Sequence, residues 1–383
     1  MKTHAASAVL ALALIGALAF ASQASAVVSP TSNGTTLGNA MNGTGGPVTA
    51  GSLTAPVGDQ GELPNATSTT ALGGFPESGS TDFGLMTSGD PLLAPNPNTE
   101  EDSGLELGGG NVRGDSDLDV SILDLTLNVP ATTNSCLKFD FRFLSEEYPE
   151  FVGDIYNDAF IAELDTSDWS TEGSDITGAQ NFAKDPLGNP ITINATGPAT
   201  VSAVNSAGTT YDAGTQRITA AHTLPSSAGT HHLFLSIFDQ GDESLDSAAF
   251  VDNVRVVSDA SCTNGVAAAG TPPETAAVSG SVGSTSATFN WAGTGSFVCQ
   301  IHDGPISDEQ KGEPFLPCTS PYIVDFNQPE SLAAVGPKLN EGIHTLSVAA
   351  VNSSGDADQT PSTFEFNATP GGGGGGGDAG AGG

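Results

Sequence analysis

Basic side chains are scarce in this 383-residue chain, where nine Lys and Arg stand against 44 Asp and Glu and the net charge is −35. So acidic a surface repels nucleic acid and anionic membranes, which excludes a nucleic-acid-binding protein. It suits divalent cations, basic partners or a salty medium, and solubility alone explains it equally well. The charge therefore narrows the class of partner without deciding between a cation-related role and solubility.

Long apolar runs are also rare. The run from Ala8 to Phe20 follows Lys2 and precedes small residues at 24–26, which is the pattern of a secretory signal with its cleavage site. This run is too short to favour a retained membrane anchor. We therefore expect a signal peptide over residues 1–26. The mature chain should be secreted, extracellular or associated with the cell surface, without a transmembrane span.

Common catalytic signatures are missing too. The sequence has no HExxH zinc motif and no nucleophile elbow. Glu146 and Glu147 are adjacent, so on an extended strand they point to opposite faces and cannot together flank a glycosidic bond. We therefore expect a protein that is not an enzyme. Glu147 paired with Asp239 or Asp242 keeps a carbohydrate-active alternative open.

Helical periodicity is weak, and short strands recur between turn residues. Phe139, Phe141 and Phe143 share one face of a strand because they alternate with other residues. The strand His231–Phe238 is apolar on both faces, as expected in the middle of a sheet. The pattern predicts an all-β protein, a jelly-roll-like β-sandwich followed by a smaller immunoglobulin-like β-sandwich. The predicted divisions are a signal peptide (1–26), the first sandwich (27–262), a linker (263–273), the second sandwich (274–369) and a disordered Gly-rich tail (370–383).

The chain contains four cysteines, Cys136, Cys262, Cys299 and Cys318. An even number behind a secretory signal favours disulfides over free thiols. Three pairings are possible, and the spacing favours Cys136–Cys262 and Cys299–Cys318, one bridge in each predicted domain. A zinc knuckle is not expected because no CxxC occurs.

Two carboxylate-rich loops each follow an apolar strand, one near residue 146 and one near residue 240. If the two strands are neighbours, both loops lie at one end of the sandwich. Ca²⁺ takes about six to eight oxygen ligands from such loops, and oxygen ligands alone argue against zinc or copper. Solvated turns or capped backbone N–H groups are the open alternative in so acidic a chain. The candidate calcium ligands are Glu146, Glu147, Asn157, Asp158, Asp239, Asp242, Asp246 and Asp252.

A third acidic segment has Asp115, Asp117 and Asp119 at alternate positions. It resembles half of an EF-hand loop. Val120 stands where that loop requires Gly, and no Glu follows at the twelfth position, so an EF-hand is excluded. We expect a solvated turn here, with cation contact as the alternative.

Several separated motifs of the first predicted domain recur in the same order in a known family. They are SEEYPEFVGDIYNDAF from Ser145, FDQGDESLDSAAFVDNV from Phe238, and the shorter blocks FGLMTSG and TQRITA. Over roughly residues 32–257 they resemble the choice-of-anchor L domain. This resemblance implies a bacterial secreted or surface protein, in a family whose members carry varied sorting or anchoring signals at their C-termini.

Residues 272–369 contain FVCQIHDG, PFLPCTSPY and LNEGIHTLSVAAVNSSGDAD. These segments resemble the immunoglobulin-like repeats of bacterial, notably actinobacterial, surface proteins. In that pattern the two cysteines pair, which supports the Cys299–Cys318 bridge.

These observations predict a secreted or cell-surface protein that is non-enzymatic, calcium-stabilised and active in adhesion or binding. Its partner would be an extracellular ligand or surface component that the sequence does not identify. The alternative is a secreted carbohydrate-binding or carbohydrate-active protein, since jelly-roll sandwiches host both activities.

Overall fold

The protein is almost entirely built of antiparallel strands, which confirms the all-β prediction. The computed structural model describes residues 27–76, 82–98, 106–269, 273–293, 295–305, 315–326, 339–352, 357–358 and 360–369. The predicted signal peptide and Gly-rich tail lie outside the described residues. Within those residues, neither α-helix has the length and apolar composition that a membrane crossing requires.

The elements have the following bounds. The helices are α1 (Gly34–Met41) and α2 (Ile193–Thr200), with a 3₁₀ turn at Ala203–Ser206. In chain order the strands are β1 (Val28–Pro30), β2 (Val48–Thr54), β3 (Asn65–Ser68), β4 (Phe83–Thr87), β5 (Asp117–Val129), β6 (Ser135–Ser145), β7 (Ala159–Leu164), β8 (Ser170–Glu172), β9 (Asp175–Thr177), β10 (Ile191–Thr192), β11 (Val201–Ser202), β12 (Ala213–Thr215), β13 (Ile218–Thr223), β14 (Gly229–Gln240), β15 (Ser247–Ser258), β16 (Gly265–Ala269), β17 (Ser279–Val282), β18 (Ser286–Asn290), β19 (Ser296–Asp303), β20 (Leu316–Cys318), β21 (Tyr322–Asp325), β22 (Gly342–Val351) and β23 (Ser362–Ala368).

Two sheets form the first sandwich. The first sheet has the order β1–β3–β4–β15–β6–β12–β11, and β13 joins it by pairing with both β6 and β16. The second sheet has the order β10–β7–β14–β5–β2. Phe139, Phe141 and Phe143 of β6 share a buried core with Leu233 and Ile237 of β14. The predicted aromatic face of β6 is therefore the inner face of a sandwich.

The outer face of β6 is also buried, which the alternating pattern did not predict. Leu144 packs in a second hydrophobic cluster with Phe75, Phe83 and Phe250. Arg142 is 1% exposed, and its Nη1 atom donates a 2.7 Å hydrogen bond to the carbonyl of Gly73. Loops thus cover the face that a half-exposed sheet would leave to water. Because β6 is packed on both sides, the residues at its end are held on a fixed edge.

Helix α1 was not predicted, since its sequence, GTTLGNAM, is poor in strong helix formers. The Asn33 side chain caps it by accepting a 3.0 Å bond from Thr36 N–H. Leu37 and Met41, four residues apart, bury one face in the sandwich core. A Cβ atom at Gly38 would overlap the Leu125 side chain, so this close packing needs glycine. Tertiary packing, rather than intrinsic propensity, holds the helix.

The segment predicted as a linker contributes a strand. β16 pairs antiparallel with β13, so the first sheet continues past Cys262. The chain then forms two small sheets, β17–β18–β21 and β20–β19–β22–β23. They enclose a separate core around Phe289, Ile301 and Phe366. The immunoglobulin-like assignment of this second module remains a prediction.

Two disulfides are present, Cys136–Cys262 and Cys299–Cys318. They join residues 126 and 19 positions apart in sequence, respectively. The first ties β6 to the segment that follows β15, and the second ties β19 to β20. A cross-link restricts the unfolded chain more strongly when it closes a longer loop.

Removing the two disulfides should therefore have unequal effects. Replacing Cys136 and Cys262 with Ala should lower the free energy of unfolding of the first module by about 5 kcal/mol, against about 3 kcal/mol in the second module for Cys299 and Cys318. Urea unfolding measures both, with Trp169 reporting the first module in a Trp291→Phe background and Trp291 reporting the second in a Trp169→Phe background. A larger loss from the shorter loop would contradict the expectation.

Candidate metal centre

Several strand ends meet at one end of the first sandwich. β4 and β6 end there and β15 begins there in the first sheet, while β14 ends and β7 begins there in the second. The acidic loops were expected to meet if β6 and β14 were neighbouring strands, but these two strands belong to different sheets. The two acidic loops nevertheless meet, because β15 pairs with β6 and β7 pairs with β14.

Backbone hydrogen bonds tie the loops together. Glu146 N–H donates to the carbonyl of Asp246 at 3.2 Å. Asn157 N–H donates to the carbonyl of Gln240, also at 3.2 Å. The loop after β6 is therefore bonded directly to the turn between β14 and β15. Six predicted calcium ligands fall in this region, and we call them the acidic cluster: Glu146, Glu147, Asp158, Asp239, Asp242 and Asp246.

The cluster is buried. Its carboxylates other than the half-buried Asp242 are between 1% and 4% exposed. Isolated ionised carboxylates are costly to remove from water, so buried ones are normally paired, hydrogen-bonded or bound to metal. Each member therefore needs its partners identified.

Asp158 has hydrogen-bond partners on both carboxyl oxygens. Its Oδ1 accepts a 3.1 Å bond from Gln240 N–H, and its Oδ2 accepts a 2.7 Å bond from the Ser247 hydroxyl. Its own N–H makes a long bond of 3.5 Å to Glu147 Oε2. Asp158 thus connects β7, β14 and β15 at their common end.

Asp239 is the opposite case. It is 1% exposed, and neither carboxyl oxygen has a hydrogen-bond partner. The Ser88 hydroxyl and the Asp158 carboxyl lie near enough to affect its pKa, but neither makes a hydrogen bond of good geometry with it. The pairing of β14 with β5 shifts register between Ile237 and Asp239, and the extra residue lies on β5 rather than on β14. Asp239 is therefore a buried carboxylate without a hydrogen-bond partner.

The alternation of side chains divides the cluster between two faces. Asp239 continues the inward positions of β14, Asp158 those of β7, and Glu147 those of β6. Glu146 and Asp246 continue the outward positions of the first sheet. Burial, followed by the charges of Asp246 and Glu146, raises the pKa of Tyr211, which packs on that outer face. The cluster therefore extends from the space between the sheets around the edge of the first sheet.

Burial and mutual repulsion govern the charges. Burial, followed by the Asp158 charge, raises the pKa of Glu147. Burial raises the pKa of Asp158 against the lowering effect of the Ser247 hydrogen bond. Burial and the charges of Asp158 and Asp246 raise the pKa of Asp239 well above its usual range. The cluster therefore takes up protons unless a cation supplies the positive charge.

Two predicted ligands differ in their surroundings. Asn157 Oδ1 accepts a 2.8 Å bond from Asn194 N–H, and its Nδ2 donates to the Ser174 carbonyl at 3.3 Å. Its amide thus joins neighbouring loops.

Asp252 lies opposite Asp140 in the β15–β6 pairing, five residues along the strand from Ser247. That spacing is about 16 Å, so Asp252 is not part of the acidic cluster.

Of the three alternating aspartates, Asp115 is exposed, whereas Asp117 and Asp119 in β5 are buried rather than part of a solvated turn. Asp117 is fully buried, and its Oδ2 accepts 2.7 Å bonds from both Val112 and Arg113 N–H. Asp119 accepts bonds from Leu107 N–H at 2.8 Å and Gly109 N–H at 2.6 Å. These carboxylates hold the preceding loop against the sheet. Their full set of donors distinguishes them from Asp239.

The sequence did not indicate that Ser88 and Gly89, which follow β4, contribute to this region. Ser88 N–H donates to the Ser247 carbonyl at 3.1 Å, and Ser247 N–H donates back to the Ser88 hydroxyl at 2.9 Å. Gly89 then lies against the Asp246 carboxyl group. The FGLMTSG motif contains both residues, but nothing in its composition indicates contact with carboxylates 150 positions away.

The carboxylates of the cluster are not arranged around one common point. Among the described residues, no three His, Cys, Asp or Glu side chains stand in an arrangement ready to hold a metal ion. The donor set nevertheless consists of carboxylate oxygens, the type that Ca²⁺ prefers. Binding would require the side chains to rotate toward a common point.

Comparisons with known proteins bear on the first module. The choice-of-anchor L domain matches residues 57–255, a span that contains the whole acidic cluster. No curated protein matches the chain. Among solved structures, a beta-1,2-glucanase from Parabacteroides distasonis is similar at 7% identity and a TM-score of 0.21. The alignment covers 86% of this chain and 39% of the glucanase, a likeness too distant to bear on function.

Asp252 should respond to pH separately from the cluster. Burial, opposed by Asn253 N–H and reinforced by the Asp140 charge, raises the pKa of Asp252 from 3.8 to about 6. Because the pKa of Asp252 is higher in the folded state, ionisation of this carboxyl group opposes folding. The loss in the free energy of unfolding therefore grows from about pH 4 to about pH 6 and is constant above pH 6. Relative to wild type, the free energy of unfolding of Asp252→Asn should therefore rise by about 1 to 2 kcal/mol between those pH values. This figure includes a reduction for screening by solvent.

Urea unfolding at each pH measures that difference. The exposed Asp59→Asn provides the control for one lost negative charge. A stability difference between Asp252→Asn and wild type that is independent of pH would refute the assignment.

Proposed function

The chain belongs to the choice-of-anchor L domain family, which indicates a bacterial secreted or surface protein, and we propose that it is a non-enzymatic adhesion or binding protein whose first module is stabilised by Ca²⁺. The observation that supports the calcium site is Asp239, a buried carboxylate without a hydrogen-bond partner beside two further carboxylates. A divalent cation would neutralise this charge. The exposed surfaces of the modules then remain available for an extracellular partner.

The chemistry of the donors favours Ca²⁺ among common cations. Carboxylate oxygens are hard ligands, and no thiol is free among the described residues because all four cysteines form disulfides. Ca²⁺ accepts irregular geometry and bidentate carboxylates, whereas Mg²⁺ demands a near-octahedral shell. Loops from two sheets that must adjust their side chains suit the more tolerant ion. Backbone carbonyls at the strand ends and water would complete its coordination.

Burial also argues for a structural rather than a catalytic role. Glu147, Asp158 and Asp239 are each 1% exposed. A general acid or base must come within hydrogen-bond distance of the substrate, directly or through one water. Carboxylates enclosed between two sheets do not offer that access. We therefore assign the cluster to stability and place ligand binding elsewhere on the surface.

Calcium should raise the thermal stability of the protein. At a free concentration 100 times its dissociation constant, Ca²⁺ should increase the free energy of unfolding by about 2.7 kcal/mol relative to EDTA. Asp239→Asn should lose this increase, and in EDTA it should be more stable than wild type because a buried repulsive charge is removed. Differential scanning calorimetry with and without Ca²⁺ measures both effects.

Asp252→Asn is the matched control for this experiment. It also removes a buried carboxylate, but at a position about 16 Å along β15 from the cluster. It should keep the full calcium response. Equal melting temperatures in Ca²⁺ and EDTA for the wild type would exclude the proposed calcium site.

The non-enzymatic assignment has its own test. Wild type and Asp239→Asn, each with Ca²⁺ present, are incubated with a panel of polysaccharides, and new reducing ends are measured. Neither protein should produce them, because the cluster carboxylates are inaccessible. Hydrolysis by wild type that Asp239→Asn abolishes would instead identify the acidic cluster as a catalytic site.

A further inference from the structure

We propose that Gly89 is a positioning residue for the calcium site: it lets the Asp246 carboxylate lie against the segment after β4, where Asp158, Asp239 and Asp246 can hold one ion at the edge of the first sheet. This inference rests on the calcium site proposed above and specifies which residues form it. Asp239 provides the unpartnered buried carboxylate, and the charges that act on it most strongly are those of Asp158 and Asp246. These three therefore form the centre of the acidic cluster.

The three carboxylates come from both sides of the sandwich. Asp239 belongs to β14 and Asp158 precedes β7, both of the second sheet, while Asp246 precedes β15 of the first. Hydrogen bonds already join the two sides through Asp158, whose Oδ2 accepts from the Ser247 hydroxyl. An ion shared among the three would add a second connection at the same end of the sandwich.

Asp246 is presented by an unusual backbone. Leu245, the residue before it, has a φ of +64°. That conformation is costly for a bulky side chain, and such residues cluster at sites where the surrounding structure demands them. The carbonyl of Asp246 accepts Glu146 N–H at 3.2 Å, which fixes its backbone to the end of β6. Its carboxyl group lies against Gly89, just after β4.

The space at Gly89 is already filled by that carboxyl group. A methyl group built on Gly89 would overlap the Oδ2, Cγ and Oδ1 atoms of Asp246. The backbone conformation of Gly89 is not the left-handed one, so alanine itself would be unstrained there. The requirement for glycine is therefore contact with Asp246 rather than backbone freedom.

The backbone at Gly89 has little room to retreat. Its carbonyl accepts a 2.8 Å bond from the Thr87 hydroxyl. Ser88 exchanges backbone and side-chain hydrogen bonds with Ser247. An added methyl group should therefore be accommodated by rotation of the Asp246 carboxylate away from Asp239. That rotation would separate the proposed ligands while leaving the strands paired.

The test compares Gly89→Ala with Gly110→Ala, where an added methyl group would meet no atom within 4 Å. Calcium affinity is measured by isothermal titration calorimetry, and folding by circular dichroism. Gly89→Ala should remain folded and bind Ca²⁺ at least tenfold more weakly than wild type, and Gly110→Ala should bind normally. Wild-type affinity in Gly89→Ala would overturn the inference and leave the calcium site standing. Absence of calcium binding in the wild type would overturn both.

A double variant separates positioning from general damage. Asp246→Ala removes the overlapping carboxyl group, so adding Gly89→Ala to it should change neither affinity nor melting temperature further. This comparison also decides the matter if Gly89→Ala alone does not fold. A double variant that is weaker or less stable than Asp246→Ala would show that Gly89 acts independently of Asp246, and the inference would fail.

Discussion

Negative charge enclosed at one end of the first sandwich is the constraint on which the surrounding structure depends. Five of the six cluster carboxylates are almost inaccessible to water. Coulomb repulsion between such groups is several times stronger than in water because the local dielectric constant is lower. Asp158 shows one way to relieve this cost, by accepting hydrogen bonds from Gln240 and Ser247. Asp239 lacks that relief, so protons or a cation must provide it.

The fold creates this concentration of charge through topology. Strands that alternate between two sheets bring together residues from the ends of β4, β6 and β14 and the starts of β7 and β15. These segments are separated by up to about 150 residues in the chain, and each contributes only one or two polar groups. The packed faces of β6, with Phe141 inside and Leu144 outside, hold the edge in place. The packed core thus fixes the positions of the residues at the end of β6.

The features that depend on local periodicity could be predicted from the sequence. The alternation of Phe139, Phe141 and Phe143 identified the inner face of β6. The two acidic loops meet at one end, but through strands of different sheets rather than through neighbouring strands. The sequence did not predict α1, whose weak helix formers are stabilised by core contacts of Leu37 and Met41. It also could not separate Asp117, which has its full set of backbone donors, from Asp239, which has none. Both are aspartates near a strand end, and only the register of distant segments distinguishes them.

The Cys136–Cys262 disulfide has a mechanical consequence for a chain displayed outside the cell. Every residue of the acidic cluster lies between these two cysteines in sequence. Tension applied to the ends of the chain would pass through the sulfur bridge and leave the 126-residue ring slack. Drag or pulling could detach β4, with Gly89, but could not draw out the strands that carry the carboxylates while the bridge remains intact. The covalent ring thus sets a limit to extension that does not rely on the strength of any non-covalent contact.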